Sequence, residues 1–214
     1  MLLNKCPNAI QIYDKIFDIE TNARLWLNIS IQLSKVNNAY QVIDILFSAI
    51  KNKKDINEEY NNKLLEKLYW FLNCGKTNNE IKAESEKATR GSNEKLYSFE
   101  KDDTLIFSAF YRTYKIDIEA ELDTLHWWKF MAMFNDLDEK SKLVGVYMYY
   151  RGLDINESSI YKHASEREKQ KILEMKNFVS LESKNMGSNI DNAEEEKIRL
   201  ERLKILEAKN GNRN

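Results

Sequence analysis

The feature that most constrains this chain is the scarcity of backbone breakers. Pro7 is its single proline, and only six glycines are spread over 214 residues. Proline removes a donor and clashes inside a helix, and glycine costs about 1 kcal/mol there relative to alanine. A chain nearly free of both can form helices wherever apolar residues recur at helical spacing. Leu25, Ile29 and Leu33 do so every four residues, widened by Trp26 and Leu27, behind a Thr21-Asn22 start signal. Residues 39–51 carry Val42, Ile43, Leu46, Phe47 and Ile50 in the same rhythm. A third helix is predicted from about Asn57, with Tyr60, Leu64, Leu65, Leu68, Phe71 and Leu72 on one face. Cys74-Gly75-Lys76 ends it, because glycine accepts the left-handed C-cap conformation at least cost.

Residues 9–20 break the helical rhythm. Ile10 and Ile12, a polar Tyr13-Asp14-Lys15 turn, then Ile16-Phe17-Asp18-Ile19 alternate with period two and predict a small β-hairpin. Such a hairpin is marginal alone and must lean on the helices that follow. Residues 76–95 hold Ile81 as their one large apolar side chain. A segment so polar cannot bury enough surface to offset its ordering entropy, so it reads as a flexible linker. Beyond it, Ile106, Phe107, Ala109, Phe110 and Tyr114 mark a helix, and Asp117-Ile118-Glu119 a turn and restart before the segment Leu122 to Phe134. Asp138 is expected to cap a helix carrying Leu143, Val144, Tyr147 and Tyr150. Ser165-Glu166-Arg167-Glu168 matches a capping box ahead of Ile172, Met175, Phe178 and Val179, and Asp191 to Glu194 offers a second one. Behind that, Ile198, Leu203, Ile205 and Leu206 give a thin apolar face to a polar last helix. The expected fold is therefore mainly α, a multi-helix bundle with a small N-terminal β-hairpin. Its parts are residues 1–75, the linker 76–95, a helical block 96–182 and a polar helical tail 183–214.

Several function classes find no support. The 33 basic and 34 acidic residues balance, and the longest basic cluster, Lys51 to Lys54, abuts Asp55. Duplex binding draws on concentrated positive charge, so no nucleic-acid partner is expected. No run approaches the roughly 18–20 apolar residues of a membrane span, and no secretory leader is evident, which predicts a protein that stays in the cytoplasm. Cys6 and Cys74 lack metal or disulfide spacing. The phosphate-binding, hydrolase and zinc-protease signatures are missing, so neither catalysis nor a cofactor nor a metal is expected. A Cys74 nucleophile with a His126 base requires only that the two meet in space, but nothing local supports it. Asp102-Asp103 reads as a solvated helix N-terminus.

The most unusual stretch is Leu125-His126-Trp127-Trp128-Lys129-Phe130, followed by Met131, Ala132, Met133 and Phe134. Two tryptophans about 100° apart make a helix apolar around much of its circumference. It is either buried on several sides as the centre of the second block's core, or it presents one side to a partner. Tyr147-Met148-Tyr149-Tyr150-Arg151 admits the same two readings, core and boundary or interface. The partner-binding candidates are Trp127, Trp128, Met131, Phe134, Tyr147 and Tyr150, with the groove expected between the Trp127–Phe134 and Tyr147–Tyr150 helices.

These residues also carry a resemblance. The hairpin leading to Ile19-Glu20-Thr21-Asn22-Ala23-Arg24-Leu25-Trp26, then Trp70 to Lys76, Leu96 to Asp102, Ile106 to Phe110, Tyr114 to Ile118, Leu125 to Phe130 and Tyr150-Arg151 occur in that order. Over residues 9–182 the chain resembles a family encoded in the tail gene cluster of phages of low-GC Gram-positive bacteria, close to the tape-measure gene. The resemblance implies a tail assembly chaperone in the host cell cytoplasm. Its partners would be the tape-measure protein and the tail-tube protein, with self-association as a further option. A structural tail or connector protein retained in the virion is the alternative. It implies no catalytic residues.

Overall fold

The period-two segment forms the expected hairpin. Strands β1 (Ala9–Ile12) and β2 (Lys15–Asp18) pair antiparallel, with Ile10 opposite Phe17. Alternation turns Ile10, Ile12 and Phe17 inward, Ile19 follows them, and Ile16 is left exposed. The protein is seen in a computed structural model that describes residues 5–56, 58–77, 79–80 and 95–181.

Helix α1 (Ala23–Leu33) starts at its predicted signal, where the Asn22 side chain accepts from the Leu25 amide. Helix α2 (Ala39–Phe47), capped by Asn38, is shorter than the pattern over 39–51 predicts. The Ala49 carbonyl accepts from the Glu20 amide at 2.8 Å, and the Lys51 amide donates to the Asp18 carbonyl at 2.9 Å. Ile50 forms a bridge with Ile19. Residues 49–51 thus leave the helix to extend the hairpin, and Ile50 is buried either way, so apolar spacing could not tell the two apart.

Helix α3 (Glu58–Leu72) braces the hairpin, its Tyr60 ring lying against Tyr13 and Phe17. It closes through Cys74 at φ 55° and Gly75 at φ 88°. The Gly75 amide reaches back to the Trp70 carbonyl at 2.9 Å, the bond of a glycine-terminated helix. Of the predicted linker 76–95, Thr77 and Glu80 form a capping box, and 81–94 lie outside the described residues.

Helix α4 (Asp103–Tyr114) and the short α5 (Ile118–Glu121), capped by Asp117, follow. The segment Leu122 to Phe134 is not one helix. It breaks at Leu125-His126, where His126 is extended, before α6 (Trp127–Asn135). The reason is a backbone splice. The Leu125 carbonyl accepts from Ala23 at 2.8 Å, and the Trp127 amide donates to Thr21 at 2.7 Å. A π-helical turn, Leu143–Met148, runs into α7 (Tyr149–Gly152). Asp138 does not cap it, since its carboxylate takes the Lys140 amide and the Arg112 side chain, while Ser141 Oγ accepts from Val144 at 3.3 Å. Helices α8 (Ser159–His163) and α9 (Glu166–Val179) complete the fold. Ser165 and Glu168 form the predicted capping box, with bonds of 2.9 and 3.4 Å.

The structure is mainly α with an N-terminal hairpin, as predicted. Met1–Val179 forms a compact unit. Its core draws on both sides of residues 76–95, with Trp26, Leu64 and Phe71 meeting Phe110, Trp127 and Phe130 in one cluster. The predicted helical tail 183–214 and its Asp191–Glu194 capping box lie outside the described residues.

Candidate functional site

The tryptophan segment acts as a joint between the two halves of the chain. The last carbonyls of α3 look beyond the helix for partners, and that of Phe71 already takes the Cys74 amide at 3.0 Å. Trp127 Nε1 donates to the Leu72 carbonyl and Trp128 Nε1 to the Phe71 carbonyl, each at 2.8 Å. Two indoles 100° apart on α6 thereby satisfy two consecutive carbonyls of α3. Trp128 also meets Trp70 edge-on, with ring centroids 5.2 Å apart. It closes over Gly75, where an added Cβ would lie 2.9 Å from the indole.

His126 completes the joint. Its Nδ1 accepts from the Trp128 amide at 3.0 Å and its Nε2 faces the Pro7 carbonyl at 2.9 Å. Nδ1 as acceptor and a carbonyl beside Nε2 require the neutral Nε2–H tautomer. Burial lowers its pKa below the ordinary imidazole value, and Lys129 adds to that, against the bond to Pro7. Cys74, the imagined nucleophile, has its thiol pushed up to about 11 by burial. A neutral thiol and an imidazole with both nitrogens engaged do not make a nucleophile–base pair.

The expected partner-binding residues divide accordingly. Trp127 and Phe134 are 2% and 4% exposed, so they line the core and have no surface to offer. Trp128 and Met131 are half-buried and packed on that core. Tyr147 is half-buried, near the exposed Phe178 and under the Arg151 guanidinium. Tyr150 leans on Tyr149 and lends its carbonyl to Lys176.

Beside Tyr147 lies a feature the sequence did not reveal. Asp102, expected in solvent, is 2% exposed and paired with Arg151, which is 3% exposed. Two bonds of 2.7 and 3.0 Å join guanidinium and carboxylate in a fork. Arg151 also donates to the Leu96 carbonyl at 2.9 Å and to the Val179 carbonyl. Lys176 donates to the Arg151 carbonyl at 3.0 Å. One buried cation thus fastens α9 to α4 and to the segment before it.

An open groove lies elsewhere on the unit. A cavity of about 690 Å³ opens between α1, α4 and α5. Leu27 and Ile31 of α1, Phe107 of α4, Leu122 and Phe99 supply its apolar wall, with the buried Ile106, Ile118 and Phe130 beneath. Its polar residues are Arg24, Asn28, Glu100, Asp103, Thr104 and Glu119. Helix α1 carries apolar side chains on two faces. Ala23, Trp26 and Ile29 are buried in the core, while Arg24, Leu27, Asn28 and Ile31, spaced i, i+3, i+4, i+7, line the groove. A sequence signal for this was present: Leu25, Trp26, Leu27, Ile29, Ile31 and Leu33 exceed what one core-facing stripe needs, and adjacent Ile106 and Phe107 cannot both point inward. Phe107 is 39% exposed.

The family model described as bacteriophage Gp15 protein matches residues 2–181, which takes in the hairpin, the tryptophan joint, the groove and α9. The chain belongs to that bacteriophage family. No curated protein and no solved structure matches it. Among the described residues of this Gp15-family chain, no cluster of three or more histidine, cysteine or acidic side chains is placed to hold a metal ion. No described helix is long and apolar enough to cross a membrane.

Proposed function

We propose that this Gp15-family chain is a bacteriophage tail assembly chaperone. It binds the tape-measure protein in the host cytoplasm, keeps that protein's apolar helices soluble, and hands them on as tail-tube subunits polymerise. It works by binding, without catalysis, cofactor, nucleic acid or membrane. The observation that carries the reading is the second apolar face of α1, left open as a groove in a chain that belongs to a phage family. Phe107, 39% exposed on its wall, offers apolar surface that a docked partner would cover. An open groove with apolar walls suits a partner that is itself helical and apolar on one side.

Size-exclusion chromatography with light scattering tests this, on the chain co-expressed with the tape-measure protein of the same phage. The expected result is a soluble complex that disappears, with the tape-measure protein aggregating, when this chain is omitted. A self-assembled ring or tube of this chain, with no tape-measure protein in the peak, would replace the chaperone with a structural tail or connector protein retained in the virion.

A further inference from the structure

We infer that the groove between α1 and α4 seats one amphipathic helix of the tape-measure protein, apolar on one side and flanked by lysine and arginine. The inference rests on the chaperone reading and adds what the partner segment must look like. Arg24 to Ile31 spans two turns, about 10 Å of groove wall at 1.5 Å per residue. That length takes the anchors of a helix at i, i+3 or i+4, and i+7. Phe107 stands partly exposed over the apolar wall, positioned to close on such an anchor.

Charge selects the flanks. With their ion-pair partners, the charged residues of the groove are Glu100, Asp103, Glu119 and Asp123 against Arg24 and Lys35. Arg24 is held by Asp123 at 2.7 Å and Lys35 by Glu100 at 2.5 Å, which leaves Asp103 and Glu119 as the acidic excess. Both pairs are exposed, and exposed pairs hold each other weakly, so an arriving cation can compete for their carboxylates. The same excess repels phosphate, which disfavours RNA and an anionic bilayer. A small polar ligand would need buried polar groups converging on it, whereas Asn28, Asp103, Thr104 and Glu119 are all exposed.

The test uses the full chain and two fluorescein-labelled peptides of about 18 residues, long enough to hold helical structure. Both carry leucine at i, i+3, i+4 and i+7; one is flanked by lysine, the other by glutamate. Fluorescence anisotropy should show the lysine peptide binding at least about tenfold more tightly than the glutamate peptide. Phe107→Glu or Ile31→Glu should abolish that binding, and Asp103→Lys with Glu119→Lys should reverse the preference. Tyr40→Glu, an acid placed at an exposed position of α2, should change nothing, and circular dichroism should show all variants folded as wild type. Equal affinity for the two peptides, binding of neither, or indifference to Phe107→Glu and Ile31→Glu overturns the inference. So does a dimer of this chain that Phe107→Glu dissolves, since a second copy would then be the occupant. The two readings fail separately. If Phe107→Glu keeps the tape-measure protein as soluble as wild type does, the groove is wrong and the chaperone stands. If wild type binds the lysine peptide with the expected preference but leaves the tape-measure protein insoluble, the chaperone falls and the groove stands.

Discussion

Removing either member of the Asp102–Arg151 pair tests what holds the last helix in place. Both side chains are almost wholly buried, and desolvating two charges is costly unless each is fully satisfied. Here they are well satisfied: the carboxylate receives two guanidinium bonds and the Ser98 amide, and the guanidinium also serves two backbone carbonyls. Asp102→Ala leaves a cation in the core without its carboxylate. Arg151→Met keeps the apolar stem but strands the carboxylate and takes the donor from the Leu96 and Val179 carbonyls. Breaking a buried pair from one side costs about 3–5 kcal/mol. At about 2–4 °C per kcal/mol for a chain of this size, each single variant should melt roughly 6–20 °C lower. The double variant removes both charges together, so its cost should fall short of the summed singles by at least about 2 kcal/mol. Urea unfolding at neutral pH, followed by both circular dichroism and tryptophan fluorescence, measures the cycle. Amide exchange should also quicken in Glu166–Val179 more than in Ala23–Leu33, because Arg151 and Lys176 anchor that helix. Singles that add within about 0.5 kcal/mol, or uniform exchange, would refute the claim that this pair is a coupled clamp on α9.

Two further predictions concern the joint between the halves. Trp127→Ala should cost about 3–5 kcal/mol in urea unfolding, because it opens a core cavity and frees the Leu72 carbonyl. Trp128→Phe, which keeps a ring but loses the bond to Phe71, should cost about 1–2 kcal/mol. Equal costs would mean that the buried Trp127 ring adds nothing beyond its indole bond. The pH dependence follows from His126, whose folded pKa lies below its unfolded value because burial disfavours the imidazolium. The folded chain then binds fewer protons, so the stability this group gives is present above about pH 6.5 and is lost as pH falls toward the folded value. Protonation would also place a hydrogen on Nδ1, where the Trp128 amide now donates. His126→Asn keeps an acceptor for that amide and does not titrate. Between about pH 7.5 and pH 5 its melting temperature should therefore fall less than that of wild type. Parallel falls would show that His126 does not titrate with folding.

Fold class and most elements were legible because each rests on local signals. The hairpin follows from alternation at Ile10, Ile12, Phe17 and Ile19, the start of α1 from Asn22, and the start of α9 from the reciprocal Ser165–Glu168 bonds. What was not legible depends on partners distant in the chain. Ile50 fits a helix by spacing, yet its neighbours bond to Asp18 and Glu20. Asp102 has the composition of a solvated helix start, and only Arg151, 49 positions away, makes it a buried anion. The burial of the tryptophan segment was hidden for the same reason. A tryptophan pair advertises large apolar surface without saying what covers it, and here the end of α3 covers it.

That burial explains how one small helical unit can keep a stable core and an open groove at once. The aromatic side chains with the most apolar surface to bury, Trp26, Phe71, Trp127 and Phe130, are spent on joining the two halves of the chain. With Trp26 and Ile29 buried in that core, Leu27, which packs partly on it, and Ile31 can turn part of their surface to the groove. The core face and the groove face of one helix are then distinct, so substitutions can separate stability from the proposed docking. Changes at Trp26 or Ile29 should unfold the chain before they alter binding. Polar changes at Leu27 or Ile31 should weaken binding while the fold persists, because the aromatic joint does not depend on them.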